Sequence, residues 1–215
     1  GVGVYAQDLV QLNPHWKLLA GLRYDHLRGD YDTLDIVSGK TSASYRMTVS
    51  EWSKRFGVLW QPSELQSFHA SVANSFNTSG DAYSLSASNV NTPPEQSINM
   101  ELGARIDSED KRLSTRFALF RTTKLHERNT DPLVNLTTLS GRRHVAGFEM
   151  DVAGRIGTRW EVYASYMWLP VAKIDVPVTG GETGRPSLTP KHTGTLWATY
   201  KLDSQWRLGA GLNLR

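Results

Sequence analysis

The sequence predicts an all-β fold, an antiparallel transmembrane β-barrel present in part, with about ten strands over its 215 residues. Three observations carry that reading. Apolar and polar residues alternate with a period of two in several stretches, as a pleated strand with one apolar face requires. Connections between these stretches go tight, long, tight, long, which sorts them onto two rims, short periplasmic turns on one and long outward loops on the other. Aromatic residues gather beside the predicted strand ends, at Trp16, Tyr24, Trp52, Trp60, Trp160, Trp168 and Trp206, where interfacial girdles would lie.

Taken in order, the chain opens directly into strand-like Val2-Gly3-Val4-Tyr5 and meets its first tight connection at Asn13-Pro14-His15. Proline there fixes φ, and asparagine can bond its own backbone. Leu18, Ala20, Leu22 and Tyr24 then oppose Leu19, Gly21, Arg23 and Asp25. A long loop is expected over 29–46 and a tight turn at Gln61-Pro62-Ser63-Glu64. Phe68, Ala70, Val72 and Phe76 next oppose His69, Ser71, Ala73, Ser75 and Asn77. The second long loop, 78–94, is rich in Ser, Asn and Gly, a solvated composition. In the following strand Ile98, Met100, Leu102, Ala104 and Ile106 oppose Asn99, Glu101, Gly103, Arg105 and Asp107. Ser108-Glu109-Asp110-Lys111 is tight, and 126–139 is read as the third long loop. His144, Ala146, Phe148, Met150 and Val152 oppose Val145, Gly147, Glu149 and Asp151. Gly157-Thr158 is tight, 174–185 is long, and Asp203-Ser204-Gln205 is tight before the run 207–214.

Composition limits the alternatives. Hydrophobic residues make up 39%, and no run approaches the roughly 18 apolar residues of a membrane helix. A mean hydropathy of -0.41 does not oppose a barrel, whose strands show lipid only one apolar face. The net charge of +3, from 24 basic and 21 acidic residues without a basic block, gives no reason to expect nucleic acid as a partner. Cysteine is absent, so disulfides and thiolate metal sites are excluded. A period of two also fits a soluble β-sandwich or carbohydrate-binding module; long strands and Glu, Arg and Asp well inside them favour a wet lumen.

Catalytic patterns are missing: no nucleophile elbow, phosphate-binding loop, H-E-x-x-H or EF-hand loop occurs. The six histidines lack metal-ligand spacing. Glu149 and Asp151 share a strand face, and a charged lumen lining explains them better than an acid/base pair. Gly209-Ala210-Gly211 lacks the context of a nucleotide site, and small residues there leave room for a neighbouring backbone or a plug. Neither an enzyme nor a resident cofactor or metal is expected. The candidate site lies on the loops. Arg121, Lys124, His126 and Arg128 lead into one loop and Arg142, Arg143 and His144 leave it, giving one mouth of the barrel a positive potential that would draw an anionic ligand. Arg142, Arg143, Tyr83, Arg128, His126 and Tyr31 are the candidate ligand contacts, the tyrosines supplying aromatic surface.

Four stretches resemble a known family. Gly3-Val4-Tyr5-Ala6-Gln7-Asp8, followed by Trp16-Lys17-Leu18-Leu19-Ala20-Gly21-Leu22-Arg23-Tyr24-Asp25, is similar to a hairpin of TonB-dependent siderophore receptors. Pro93-Pro94-Glu95-Gln96-Ser97 with Glu101-Leu102-Gly103-Ala104-Arg105, then Gly147-Phe148-Glu149-Met150-Asp151, then Leu188-Thr189-Pro190-Lys191-His192-Thr193, match further motifs in the family order. The wording looks nearest to the catecholate type. The resemblance implies a 22-stranded barrel around an N-terminal plug, in the outer membrane of a Gram-negative bacterium. It would import a ferric siderophore, iron being cargo, with energy from the TonB-ExbB-ExbD complex. Residues 1–215 would be a partial barrel, roughly the ninth to eighteenth strand, with the plug and the final strands outside it. Another TonB substrate, such as cobalamin or a saccharide, and a passive porin stay open as alternatives, as does an outer-membrane hydrolase were a Ser/His pair to meet. The fragment alone is expected not to fold stably, since two edge strands would lack partners.

Overall fold

The computed structural model describes residues 1–77, 85–87, 90–91, 93–131, 136–176, 184–186 and 188–215, with the backbone alone at 127–131, 136–140 and 176. Ten strands follow one another: β1 (Val2–Gln11), β2 (Trp16–Leu34), β3 (Thr41–Ser63), β4 (Gln66–Asn77), β5 (Glu95–Asp107), β6 (Leu113–Asp131), β7 (Leu136–Ile156), β8 (Trp160–Val176), β9 (His192–Lys201) and β10 (Arg207–Leu214). They form one sheet in sequence order, every neighbour antiparallel. No helix occurs among the described residues. Every connection is thus a hairpin, and the expected meander is what forms.

The tight rim is built by side chains that bond their own turn. Asn13 Oδ1 accepts from the amides of His15 and Trp16 at 2.9 and 3.0 Å. Asp203 Oδ1 accepts from the amides of Gln205 and Trp206 at 2.7 and 2.8 Å, and this holds the Asp203 carboxyl below the usual range. Gly157 supplies the positive φ of 63° that its turn requires. Lys111 Nζ meets Glu64 Oε2 at 2.9 Å and so ties two neighbouring turns.

Two of the four connections expected to be long are not. β2 continues to Leu34 and β3 starts at Thr41, so only 35–40 turns, while β6 runs to Asp131 and β7 starts at Leu136. The calls of loops over 29–46 and 126–139 are corrected accordingly. Their Ser, Thr, Asn and Asp content reads as loop, yet paired strands in water tolerate polar residues on both faces. At the 35–40 turn, Asp35 Oδ1 accepts from the Val37 and Ser38 amides at 3.0 and 2.7 Å, with Gly39 at φ 67°. Ser38, through its amide and hydroxyl, and the Val37 amide lower the Asp35 pKa. The connections over 78–94 and 177–191 are long, with 78–84 and 177–183 outside the described residues.

Alternation gives the sheet two unlike faces. The outward face of β5 is Ile98, Met100, Leu102, Ala104 and Ile106, and the register continues it into Leu119 and Phe117 on β6 and Phe148 and Met150 on β7. Asp8, Lys54 and Arg121 are the charged exceptions on this face between the girdles. The buried apolar side chains among the described residues are Met47, Val49, Leu85, Leu169 and Ala172, all toward the long-loop rim. A 215-residue chain with so little interior is not a sandwich; its apolar area faces outward in one layer.

Aromatic residues bound that outward band. Trp16 and Tyr24 on β2, Trp60 and Trp52 on β3, and Trp160 and Trp168 on β8 are each eight residues apart on the same face. Eight residues at ~3.3 Å each span about 26 Å along a strand, close to the height of a lipid-facing band. The lower girdle is packed: Trp16 stacks on Trp60 at 5.9 Å, Trp60 on Phe68 at 5.2 Å, and Trp160 meets Tyr200 at 4.7 Å. Tyr24 and Trp52 meet at 4.9 Å in the upper one. Tyr24, Trp52 and Trp168 therefore lie inside strands that continue past them.

The register also fixes the lean of the strands. One row of partners runs from Trp16 through Trp60, Phe68, Ala104, Phe117 and Met150 to Tyr166. The lower-girdle tryptophan of β8 is Trp160, so the girdle drifts six residues over six strands. At ~3.3 Å per residue against ~4.8 Å between strands, that is a lean of about 35°.

Candidate ligand-binding face

The face opposite the aromatic girdles is polar, and glycines let its side chains lie flat. Arg23 donates to Asp25 through Nε at 2.7 Å and Nη2 at 2.6 Å. Gly3 stands opposite Asp25, and a Cβ there would come within 2.6 Å of both side chains. His69 Nε2 lies 2.7 Å from Glu101 Oε1 across Gly103, where a Cβ would come within 2.1 Å of the imidazole. Trp197 lies over Gly209 and Gly211, whose missing Cβ atoms would come within 3.0 and 2.5 Å of the indole. The room left by Gly209-Ala210-Gly211 is thus taken by Trp197. Arg207 and Thr199 converge on Glu161 at 3.3 and 3.5 Å. Opposite charges meet along and across these strands and line a polar wall, with Arg116 directly opposite Asp151, while Glu149 stands opposite Ala118 and Met167 and is not matched in register.

Toward the long-loop rim the polarity of β2 and β3 reverses. The inner face there is Leu27, Tyr31, Tyr45, Met47 and Val49, closed by Leu85 at 2% exposure, with Phe76 packed against it. The outer face carries His26, Arg28, Asp30 and Arg46. Tyr31 pairs with Tyr45 and packs on this apolar cluster.

The other candidate residues gather in one irregular stretch of β6–β7. Lys124 pairs with Arg143 and Glu127 with Gly141, so Leu125 and His126 share the space opposite Arg142. His126 absorbs the extra residue with a φ of 54°, a conformation costly to a side chain with a Cβ. Arg143 faces inward beside Lys124, which reaches Glu95 at 3.1 Å. Arg142 instead shares the outer face with His144. Its Nε lies 3.5 Å, and His144 Nδ1 2.8 Å, from the same Asp175 Oδ2. The backbone of Arg128 lies in β6 and its side chain is outside the described residues, as is the whole of Tyr83.

Two residues absent from the sequence-based set shape this rim. Asp175 is the extra residue of a register shift, between Ile174 opposite Arg143 and Val176 opposite Arg142, and no sequence signal marks it. Arg185 donates to the carbonyls of Thr189, Leu169 and Pro190 at 2.7, 2.8 and 3.2 Å, which fastens the β8–β9 connection to the wall without an acidic partner among them. Among the described residues no cluster of three or more His, Cys, Asp or Glu could hold a metal ion.

A leaning single-layer meander, girdled outside and polar inside, defines a wall segment of a transmembrane β-barrel with its longer connections on one rim. Residues 1–215 match the family model described as TonB dependent receptor-like, beta-barrel, and the chain belongs to that family. A Bordetella pertussis protein named "Probable TonB-dependent receptor BfrD" is 29% identical over 98% of this chain and 29% of its own length. The crystal structure of the siderophore receptor PiuA from Acinetobacter baumannii superposes with a TM-score of 0.84 at 27% identity, covering 97% of this chain and 32% of that one. The closed form of the ferric-catecholate import receptor Fiu from E. coli K12 gives 0.82 at 25% identity, covering 98% and 33%. This chain therefore spans about three tenths of the length of the curated relatives it matches.

Proposed function

We propose that this chain is part of the wall of an outer-membrane receptor that imports a ferric siderophore, of the catecholate type, in a Gram-negative bacterium. The observation that carries the reading is the long-loop rim, where Lys124 of β6 and Arg143 of β7 face inward as a cross-strand pair above a polar inner wall. The likeness to PiuA and Fiu across nearly the whole chain supports the cargo class. Arg143 faces the interior and His126 is held in a strained bulge, the kind of position that recurs at ligand contacts. These two lead the proposed contacts, followed by Arg128 and Tyr83, whereas Arg142 is turned to the outer face against Asp175 and leaves the set. Arg143 attracts the anionic chelate by charge-assisted bonds, and His126 adds a ring at the same mouth. Tyr31 acts by holding the rim hairpin in shape.

The mechanism is capture at the rim followed by passage along the polar inner wall, with energy supplied by the TonB-ExbB-ExbD complex through another part of the receptor. Iron is cargo, no resident cofactor is involved, and no bond of the chelate is made or broken. The test is uptake of radiolabelled ferric siderophore by cells carrying Arg143→Glu in the full-length receptor. Uptake is expected to fall about tenfold, equivalent to about 1.4 kcal/mol of lost binding. Unchanged uptake removes Arg143 from the site.

A further inference from the structure

We propose that Glu95 sets the charge that the capture site shows to its cargo, as a positioning residue that acts through Lys124. The inference rests on the capture reading above and names the group that regulates it. Among the described residues the buried charged side chains are Asp25 and Glu95, each residue 7% exposed. Both lie on the inner face toward the long-loop rim, and each stands behind a more exposed cation. Asp25 receives Arg23 at 2.6 Å, and the Arg23 side chain is 49% exposed. Glu95 Oε2 receives Lys124 Nζ at 3.1 Å, and the Lys124 side chain is 38% exposed.

Backbone structure fixes where this carboxylate stands. Glu95 opens β5 directly after Pro93-Pro94, whose rings favour extended chain, and it pairs with Asn77 in the last rung between β4 and β5. Lys124 pairs in register with Ser97 on one side and with Arg143 on the other. Glu95 is two residues nearer the rim than Ser97, so the lysine leans diagonally upward to reach it. Like charges directly opposite on neighbouring strands destabilise a sheet, and Lys124 with Arg143 is such a pair. Glu95 offsets that repulsion. A carboxylate this deeply buried is costly without a cation, so the ammonium stays with it. The charge of Lys124 is thereby cancelled before an anionic chelate meets it. The mouth then holds the chelate less tightly than its basic residues alone would, which favours release into the passage.

The test is binding of the ferric complex of a tripodal tris-catechol, a trianion, to the full-length receptor in nanodiscs, followed by quenching of tryptophan fluorescence. Glu95→Gln keeps the shape and an acceptor for Lys124 while removing the charge, and Kd is expected to fall about fivefold in dilute buffer. Glu95→Gln/Lys124→Gln leaves the local charge unchanged and should return Kd to within about twofold of the unaltered receptor. Glu95→Asp, which keeps the charge, should stay in the same range. In about 1 M salt, where charges act over only about 3 Å, the gain by Glu95→Gln should shrink below about twofold. Weaker or unchanged binding by Glu95→Gln would overturn the proposal. A gain that persists in high salt would overturn it too, because shape and not charge would then be responsible. Should Glu95→Gln not assemble, the double variant decides, since it has neither the buried carboxylate nor the opposed cations; a Kd outside its expected range overturns the proposal. Arg143→Glu, measured alongside, separates the two readings. If it weakens binding while Glu95→Gln does not tighten it, the role of Glu95 alone is lost. If it changes nothing, the capture site itself is misplaced and the proposal falls with it.

Discussion

His69 and Glu101 meet at 2.7 Å on the inner wall because the residue beneath them, Gly103, has no side chain. The pair is diagonal, since the register sets His69 opposite Gly103 and Ser71 opposite Glu101. A Cβ at 103 would occupy the space of the imidazole, so Gly103→Val should turn His69 off the wall and separate the pair. A loss of about 1–2 kcal/mol is expected in urea unfolding of the reconstituted receptor. In a His69→Ala background the same substitution should cost much less; equal costs would show that the pair and the glycine are not coupled.

Depth should decide the effect of charge on the outward face. Ala20 lies midway between Trp16 and Tyr24 on β2, and Ser50 lies beyond Trp52 on β3. Ala20→Arg is expected to destabilise the barrel by about 2–4 kcal/mol and Ser50→Arg by no more than about 1 kcal/mol. Equilibrium unfolding in lipid vesicles measures both. Similar costs would place the band elsewhere.

The apolar cluster at the rim should behave as a small core of its own. Leu85, at 2% exposure, closes it against Met47 and Val49. Leu85→Ala is expected to remove about 2–3 kcal/mol of local stability. Faster hydrogen exchange at the amides of 43–49, with the band between the girdles unaffected, is the sign to look for.

His126 trades stability for position. Gly at 126 adopts a φ of 54° without penalty, so His126→Gly should raise stability by up to about 1 kcal/mol. Siderophore affinity should fall at the same time if the imidazole touches the ligand. Higher stability with unchanged affinity would leave the bulge as a purely structural device.

The tie between the tight turns should respond to pH in a fixed sense. Lys111 lowers the Glu64 pKa and Glu64 raises that of Lys111, chiefly by their shared hydrogen bond. The Glu64 contribution is present above the ordinary carboxylate value and lost as pH falls through the lowered one. The Lys111 contribution is present below the ordinary ammonium value and lost as pH rises through the raised one. Both groups are exposed, so the effect is small. Glu64→Gln should flatten the acid-side difference in urea midpoint and leave neutral pH nearly unchanged.

How much of this was legible in the sequence depends on what each residue reports. Alternation at 18–25, 68–77, 98–107 and 144–152 reports the face directly, because a pleated strand has no other way to sort its side chains. Asn13 and Asp203 announced their turns through their own chemistry. The overrun of β2, β3, β6 and β7 past the girdles was not legible, since strands in water and loops in water draw on the same residues. Arg142 and Arg143 are neighbours in sequence and so face opposite sides, and only the alternation carried through Phe148 shows which is which. Asp175 depended on a register shift, which one strand's sequence does not encode. Tyr31 read as loop surface because its partners, Met47 and Leu85, come from other parts of the chain.

The one-residue drift of the girdle per strand means that residues share a latitude without sharing a row. Eight residues between belts is a fixed quota on β2, β3 and β8. A two-residue deletion within it would drag a tryptophan into hydrocarbon and pull its neighbours out of step. Above the upper belt no such quota applies, as the 19- and 23-residue lengths of β2 and β3 attest. Variation in this protein should therefore accumulate as added or lost pairs at the outer ends of hairpins, where recognition can be rebuilt without renegotiating the membrane.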